Sequence, residues 1–566
     1  MIDSIIIGNI IGENGLAAIN LCMPVYLILC TFGSLFGSGS CLLSSVAIGE
    51  NNADKSNRLY TLAIWMILGT GIVFTVLGIW FSEPITALLG VSGDRIHNMA
   101  NDYIKIILLG SIPKMLLYIP FNYLRLDGRP QLVTITLLTM TAANSILDII
   151  LMIVFPLGMK GAATASALSS LIACVLGFIY LTGKNSSFQL IKIKEYGSTI
   201  IDIIKNGSPA AMNNFFTALR LTVLNIIIFK TGGSSALSVF AVVCSMYEFS
   251  YCILAGVPQT AMPIIGVYRG ERDNESIRIL MKRQFVAGGV LILIFSVLTV
   301  VLSGSISTLF GIDGSHKLQA QIALCYLAIS LIFAMINSIF TYFFNATGRI
   351  AIANLINLLR VLVIAVLSAA LLANLCSGVA LWAFLPLSEM LTLLVTFIVT
   401  NRISRQSKAL SKVLLLDDTL IREGKTINFS VEGNMDSVME ASVRINEFGE
   451  SNGFTVKQQM IVSLAIEEML TLIIDKCFND EKSKTMIGSK RQAAGQTVDV
   501  RVFRISDTIG IRLRNGGNSF NPVAYYENNK DSDFLSETLG IKMITGLAEI
   551  VSYQRTFGVN SLIIIL

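Results

Sequence analysis

The chain has 566 residues, 53% of them hydrophobic and only 14% charged, with a mean hydropathy of +0.69. Soluble domains carry roughly a quarter charged residues, so this composition excludes an ordinary soluble enzyme and indicates a polytopic membrane protein. The net charge of +5 is uneven: residues 426–566 hold 14 Lys and Arg against 17 Asp and Glu, a net −3, while the rest holds 28 against 20, a net +8. A basic, apolar membrane part and a mildly acidic soluble part follow. No basic patch with interleaved aromatics is present, so nucleic acid is not an expected partner.

Residues 1–9, "MIDSIIIGN", are apolar but too short to span, and they carry Asp3. Eleven longer apolar stretches follow, at 16–48, 58–82, 98–124, 131–155, 160–182, 200–229, 235–267, 281–310, 317–345, 350–374 and 379–401. Each reaches about 20 residues, enough to cross a bilayer as helix. Loop charge orients them. One set of loops carries Lys55, Arg58, Arg125, Arg129, Lys184 to Lys205, Arg269 to Arg283, Arg349 and Arg402 to Lys412; the opposite set offers only Arg95, Lys160, Lys230 and Lys317. By the positive-inside rule the first set, and the C-terminal domain with it, is cytoplasmic. No basic n-region or small-residue cleavage site marks a signal peptide.

The chain repeats itself. "AIGENNADKSNRLY" (47–60) resembles "VYRGERDNESIRIL" (267–280), and "NYLRLDGRPQLVTITLL" (122–138) resembles "TYFFNATGRIAIANLINLL" (341–359). A nearly constant offset indicates two parallel halves. Six helices per half require twelve, so the 1–9 stub reads as the end of a first helix whose beginning is absent. The halves fall at 1–183 and 184–402.

Residues 403–425 read as a charged, partly amphipathic linker. In 426–566, "TINFSV" alternates like a strand, and 435–451 and 456–478 read as helices. "TVDVRVFRIS" and "TIGIRLRN" read as strands joined near Asp507. Residues 515–536 read as loop, "SETLGIKMITGLAEIV" as a helix capped by Ser536, and "SYQRTF" and "NSLIIIL" as closing strands. The nine cysteines include no CxxC pair and read as small buried hydrophobes in a reducing setting. His97 and His316, far apart in predicted loops, offer no metal site.

Charges inside spanning helices are rare and functional by default. Asn144 and Asp148 are four apart on the fourth full span and share a face. Asp148 lies about 25 Å along that helix, in the outer half of a core about 30 Å thick. Asp3 sits at similar depth. Two carboxylates and an amide there form a candidate cation or proton site, because desolvation and like-charge proximity favour a shared proton or a bound cation. The bland reading makes Asp3 a terminal polar residue and Asp148 an interfacial helix end. Arg220, Glu248, Arg360 and Glu389 also fall in spans, as interhelical ion pairs or as substrate contacts. The two arginines make that cavity less negative than a cation pump wants.

"DSIIIGNIIGENGLAAINLCMP", "LRLDGRPQ", "NSILDIILMIVFPLGMKGAATASALS", "NGSPAAMNN", "FNATGRIAIAN" and "GVALWAFLPLSEMLTLL", in that order over 1–402, resemble the multidrug and toxic compound extrusion (MATE) transporters. The resemblance implies two six-helix lobes and alternating access driven by Na⁺ or H⁺, with Asp3, Asn144 and Asp148 as the ion-coupling residues. It implies amphipathic organic cations as substrates, in a multi-pass cytoplasmic-membrane antiporter rather than an enzyme. A lipid-linked oligosaccharide flippase of the same superfamily, or a membrane-anchored signalling protein, are the alternatives. Residues 426–566 resemble the ATP-binding domain of histidine kinases and anti-sigma-factor kinases, an α+β sandwich. The nucleotide-binding positions would be Glu468, Asn515, Gly517 and Gly540. Where the family has an Mg²⁺-binding Asn stands Leu472, which cannot ligate a hard cation; its adenine-binding Asp falls on Asn515. A degenerate site, with ATP doubtful and a cytoplasmic regulatory protein as partner, is expected.

Overall fold

Apolar stretches become helix where the sequence predicts spans. The computed structural model describes residues 7, 11, 13–50, 52–88, 94–183, 186–192, 197–310, 315–375, 378–407, 409–417, 419, 425–478, 497–505, 508–528, 535–556 and 559–566. Among them, ten helices are long and apolar enough to cross a membrane, and a bent pair, Ile96–Leu109 with Ser111–Leu126, would make eleven if it is one span. Residues Met1–Arg402 form one unit and Ile403–Leu566 a second.

In the first unit the helices are α1 (Glu13–Gly49), α2 (Ala53–Trp80), α3 (Ser82–Leu88), α4 (Asp94–Leu109), α5 (Ser111–Leu116), α6 (Tyr118–Leu126), α7 (Pro130–Ile149), α8 (Gly158–Leu181), α9 (Gly197–Gly270), α10 (Asn274–Val301), α11 (Ser303–Leu309), α12 (Ser315–Ala346), α13 (Ile350–Asn357), α14 (Ile364–Leu375) and α15 (Phe384–Gln406). Short π-helical runs, Ile150–Val154 and Leu358–Val363, follow α7 and α13. The third predicted span is not straight. It bends by 59° between α4 and α5, at Gly110, with Pro113 and Pro120 beyond it, and proline cannot donate to the helix ladder. The eighth breaks at Leu302, and α15 runs on into the segment read as linker. His97 and His316 lie in the first turns of α4 and α12 rather than in loops.

The long α9 is two spans, Thr199–Gly233 and Ala236–Gly270. Gly233 has φ +65°, ψ −157°, a conformation open to glycine and costly to L-residues. The chain therefore reverses there without a loop.

The sequence repeat is also a repeat of backbone geometry. Gly128 (φ +74°) and Gly348 (φ +76°) end α6 and α12 in the left-handed region. In the first turn Gly128 N donates to Arg125 O (3.1 Å) and Arg129 N to Leu124 O (2.8 Å); in the second, Gly348 N donates to Asn345 O (3.0 Å) and Arg349 N to Phe344 O (2.8 Å). Asn52 and Asp273 cap α2 and α10 alike, each accepting from the backbone three residues on. Residues 186–192 lie against the ends of α2 and α6. Phe188 packs on Tyr60 and Tyr123, and Gln189 N donates to Asn57 Oδ1 (2.9 Å). Burial pushes the neighbouring Asp127 carboxyl above the usual range, opposed by the Ser187 N–H that it accepts.

The second unit holds one antiparallel sheet in the order β1-β2-β3-β5-β4: β1 Thr426–Glu432, β2 Thr497–Ile505, β3 Thr508–Asn515, β4 Ile550–Thr556 and β5 Val559–Ile565. Helices α16 (Met435–Ser451), α17 (Val456–Ile473) and α19 (Leu535–Leu547) contribute to its core. In register, Val431, Val498 and Val500, Val502, Ile511, Leu513, Leu562 and Ile564 face these helices. A Thr455 capping box opens α17. Two expectations are corrected. The predicted loop contains a short helix, α18 (Pro522–Asn528), begun by Asn521 accepting from the Val523 and Ala524 amides. Helix α19 starts at Leu535, so Ser536 lies inside it, and Ile550 and Val551, read as helix, are strand. The Asp507 turn lies outside the described residues.

Candidate functional site

Helix α7 starts on Pro130 at its first turn, where a missing N–H is harmless. It carries Asn144 and Asp148 on one face. Asp148 is fully buried, at 0% exposure. The Asn144 Nδ2 is also buried and finds no acceptor among the described residues. Two residues after Asp148 the helix widens into its π-helical run, a form that recurs at functional sites. Gly161 of α8 lets that run approach, since a Cβ there would stand 2.9 Å from Leu151 O. Asp3 lies outside the described residues, so the structure brings together only two of the three expected coupling residues.

In the second half, Arg360 and Glu389 do form an ion pair. Arg360 Nε donates to both Glu389 carboxylate oxygens, at 2.8 and 2.9 Å. Asn337 Nδ2 donates to Glu389 Oε2 (2.8 Å) and to its backbone O (2.9 Å). Arg360 Nη2 reaches the Tyr247 hydroxyl at 3.4 Å. All three core members are buried. Asn337 was missed in the sequence, where "MINS" reads as an ordinary polar interruption of an apolar helix. Arg220 and Glu248 behave otherwise. Arg220 lies over the Tyr247 ring at 5.3 Å, Glu248 is exposed in the cavity wall, and neither forms an ion pair with any described residue.

Two adjoining cavities open here, of about 220 and 230 Å³. They share Asn213, Asn214, Tyr251 and Arg360 as walls, and together they reach the size of small-molecule sites. The second is walled by Arg220, Glu248, Arg360 and Glu389, so all four charged residues singled out in the sequence border one space. The first is walled by α1, α6, α9 and α12, and it contains Arg125, which the sequence reading assigned to a loop.

In the second unit the four positions singled out for nucleotide, Glu468, Asn515, Gly517 and Gly540, make contacts within the protein. Asn515 Oδ1 accepts from Asn560 Nδ2 (2.8 Å) and Gly517 N (3.1 Å). Asn560 is in turn held by the Tyr553 hydroxyl at 2.7 Å. A Cβ on Gly517 would meet Cys477 at 2.8 Å, and one on Gly540 would meet Glu468 Oε2 at 2.2 Å. Helix α19 thus rests directly on α17 where Gly540 meets Glu468, and Leu472 packs, half-buried, against the apolar core.

The MatE family model matches residues 1–150 and 209–371, more than half of the chain. The multidrug export protein MepA of Staphylococcus haemolyticus (strain JCSC1435) is 27% identical over 345 residues, covering 61% of this chain and 76% of that protein. Its counterpart in Staphylococcus aureus (strain MRSA252) is 26% identical over 346 residues with the same coverage. The outward-facing structure of a multidrug resistance MATE family transporter superposes with a TM-score of 0.68 at 19% identity, over 72% of this chain and 92% of that one. A MATE structure in the straight conformation gives 0.67, with the same identity and coverage. The apolar helices, the duplicated turns and the matched sequence agree: the chain belongs to the MATE family of membrane transporters.

Proposed function

We propose that the chain is a multi-pass secondary transporter of the cytoplasmic membrane that exports amphipathic organic compounds in exchange for Na⁺ or H⁺. Two lobes, 1–183 and 184–402, would alternate access, with residues 403–566 on the cytoplasmic side. The observation that carries the reading is Asp148, a wholly buried carboxylate in a spanning helix, with an unsatisfied amide one turn away. A carboxylate inside a spanning helix is costly and, by default, functional. Asp3 would complete the site. The multidrug export role of the MepA relatives supports the same reading.

The test is gradient-driven efflux from vesicles containing the purified full chain. Wild type should move a drug substrate against its gradient when Na⁺ or H⁺ is supplied, and Asp148→Asn should fall to the rate of protein-free vesicles. An Asp148→Asn variant that matches a working wild type would remove this carboxylate from coupling.

Residues 426–566 act, in this proposal, as a regulatory module of histidine-kinase ATPase type that has lost its nucleotide. The Glu468–Gly540 contact and Leu472 in place of a metal-binding Asn support it. Calorimetry of the full chain with ATP should show no Mg²⁺-dependent binding tighter than about 1 mM. Tight Mg²⁺-dependent heat would contradict it.

A further inference from the structure

The two cavities border three arginines and two glutamates: Arg125, Arg220 and Arg360 against Glu248 and Glu389. Their pairing is unequal. Arg360 is neutralised by Glu389 at 2.8 Å. Arg220 and Glu248 put one charge of each sign on the walls of one cavity, without pairing. Arg125 is left over. Among the described residues, no aspartate or glutamate lines its cavity. Its one hydrogen-bonded partner among the described residues is neutral: Nη1 donates to Gln259 Oε1 at 3.2 Å, and Gln259 Nε2 donates on to the Tyr342 hydroxyl at 3.1 Å. A guanidinium has five donors, so most of this one remains to be engaged. It lines the cavity together with Tyr118, Phe121 and Tyr251 and with neutral polar side chains such as Asn213 and Asn214.

Such a site treats the two classes of amphipathic ligand oppositely. An organic cation meets a like charge with no acidic side chain among the described lining residues to offset it. A carboxylate, sulfonate or phosphate monoester meets a planar fork suited to bidentate, charge-assisted bonds, while aromatic walls take its apolar body. We propose that the central cavity binds amphipathic organic anions, the acid group docking on Arg125. This rests on the export reading above and sets its substrate class, where family resemblance alone points to cations.

Two dyes of one scaffold and opposite charge decide it: fluorescein, anionic, and rhodamine 6G, cationic. Binding to the full chain in nanodiscs is read by fluorescence polarisation, with empty nanodiscs subtracted. Fluorescein should bind at least about tenfold more tightly than rhodamine 6G. Arg125→Gln should weaken fluorescein by about tenfold without weakening rhodamine 6G, and Arg125→Lys should retain part of the preference. Should Arg125→Gln fail to fold, Gln259→Glu keeps the arginine and places a carboxylate beside it; it should erase the fluorescein preference. Tighter binding of rhodamine 6G, or a fluorescein affinity unmoved by Arg125→Gln or by Gln259→Glu, overturns the anion site and leaves export standing. Failure of wild type to bind either dye overturns both.

Discussion

Glu389→Gln is expected to destabilise the membrane unit by about 3–5 kcal/mol, the cost of stranding a buried charge. Glu389 and Arg360 are 6% and 8% exposed, so water from the cavity they border replaces the lost partner poorly. The glutamine keeps the size of the side chain and can still accept from Asn337. What it removes is the negative charge against Arg360 Nε at 2.8 Å. The double variant Arg360→Met/Glu389→Leu should recover most of the loss, because both desolvation costs disappear with both charges. All three tryptophans, Trp65, Trp80 and Trp382, lie before residue 403. Thermal unfolding followed by tryptophan fluorescence therefore reports the membrane unit alone. A double variant as unstable as the single one would show that the pair stabilises beyond charge compensation, through the Asn337 and Tyr247 hydrogen bonds. A single variant as stable as wild type would show that the pair is solvated.

The membrane helices were legible because their signal is local: long apolar runs broken by charged turns. Pairing was not legible, since Arg360 and Glu389 stand 29 positions apart in sequence and Asn337 stands 52 from the Glu389 it bonds; only packing selects which charge meets which. Arg125 shows a subtler limit. Its position one residue before the end of α6 made it look like a loop charge. The left-handed Gly128 ends the helix beyond it, so the guanidinium can turn back into the cavity, and a long side chain near a helix end permits either direction. The bend at Gly110 was hidden because hydropathy is blind to direction. In the second unit, strand alternation gave the sheet. The contact between Glu468 and Gly540 did not show, because the two meet only in the fold.

Gly207→Ala should be the most disruptive single methyl addition in the seam between the two halves. Helix α1 runs against both arms of α9 on glycines. A Cβ at Gly207 would lie 1.8 Å from Leu35 O, one at Gly39 2.2 Å from Ile203 O, one at Gly49 2.0 Å from Val267 O and one at Gly270 2.3 Å from Val46 O. Each obstacle is a backbone carbonyl, which cannot rotate aside, so the helices themselves must separate. Small residues allow this approach in membranes, where packing rather than hydrophobicity holds helices together. Overpacking of this kind costs about 1–3 kcal/mol. Gly266→Ala meets Ser45 Oγ at 1.8 Å instead, and a hydroxyl can change rotamer, so its cost should be smaller. Gly289, in α10, has nothing within 4 Å of its would-be Cβ. There alanine should stabilise by about 0.5–1 kcal/mol through helix propensity. The ordering Gly289→Ala above wild type, then Gly266→Ala, then Gly207→Ala, read from tryptophan-monitored melting, distinguishes a rigid seam from a general intolerance of glycine loss. Equal melting of Gly207→Ala and wild type would mean that α1 and α9 separate freely, and the halves would then be held by contacts other than this seam.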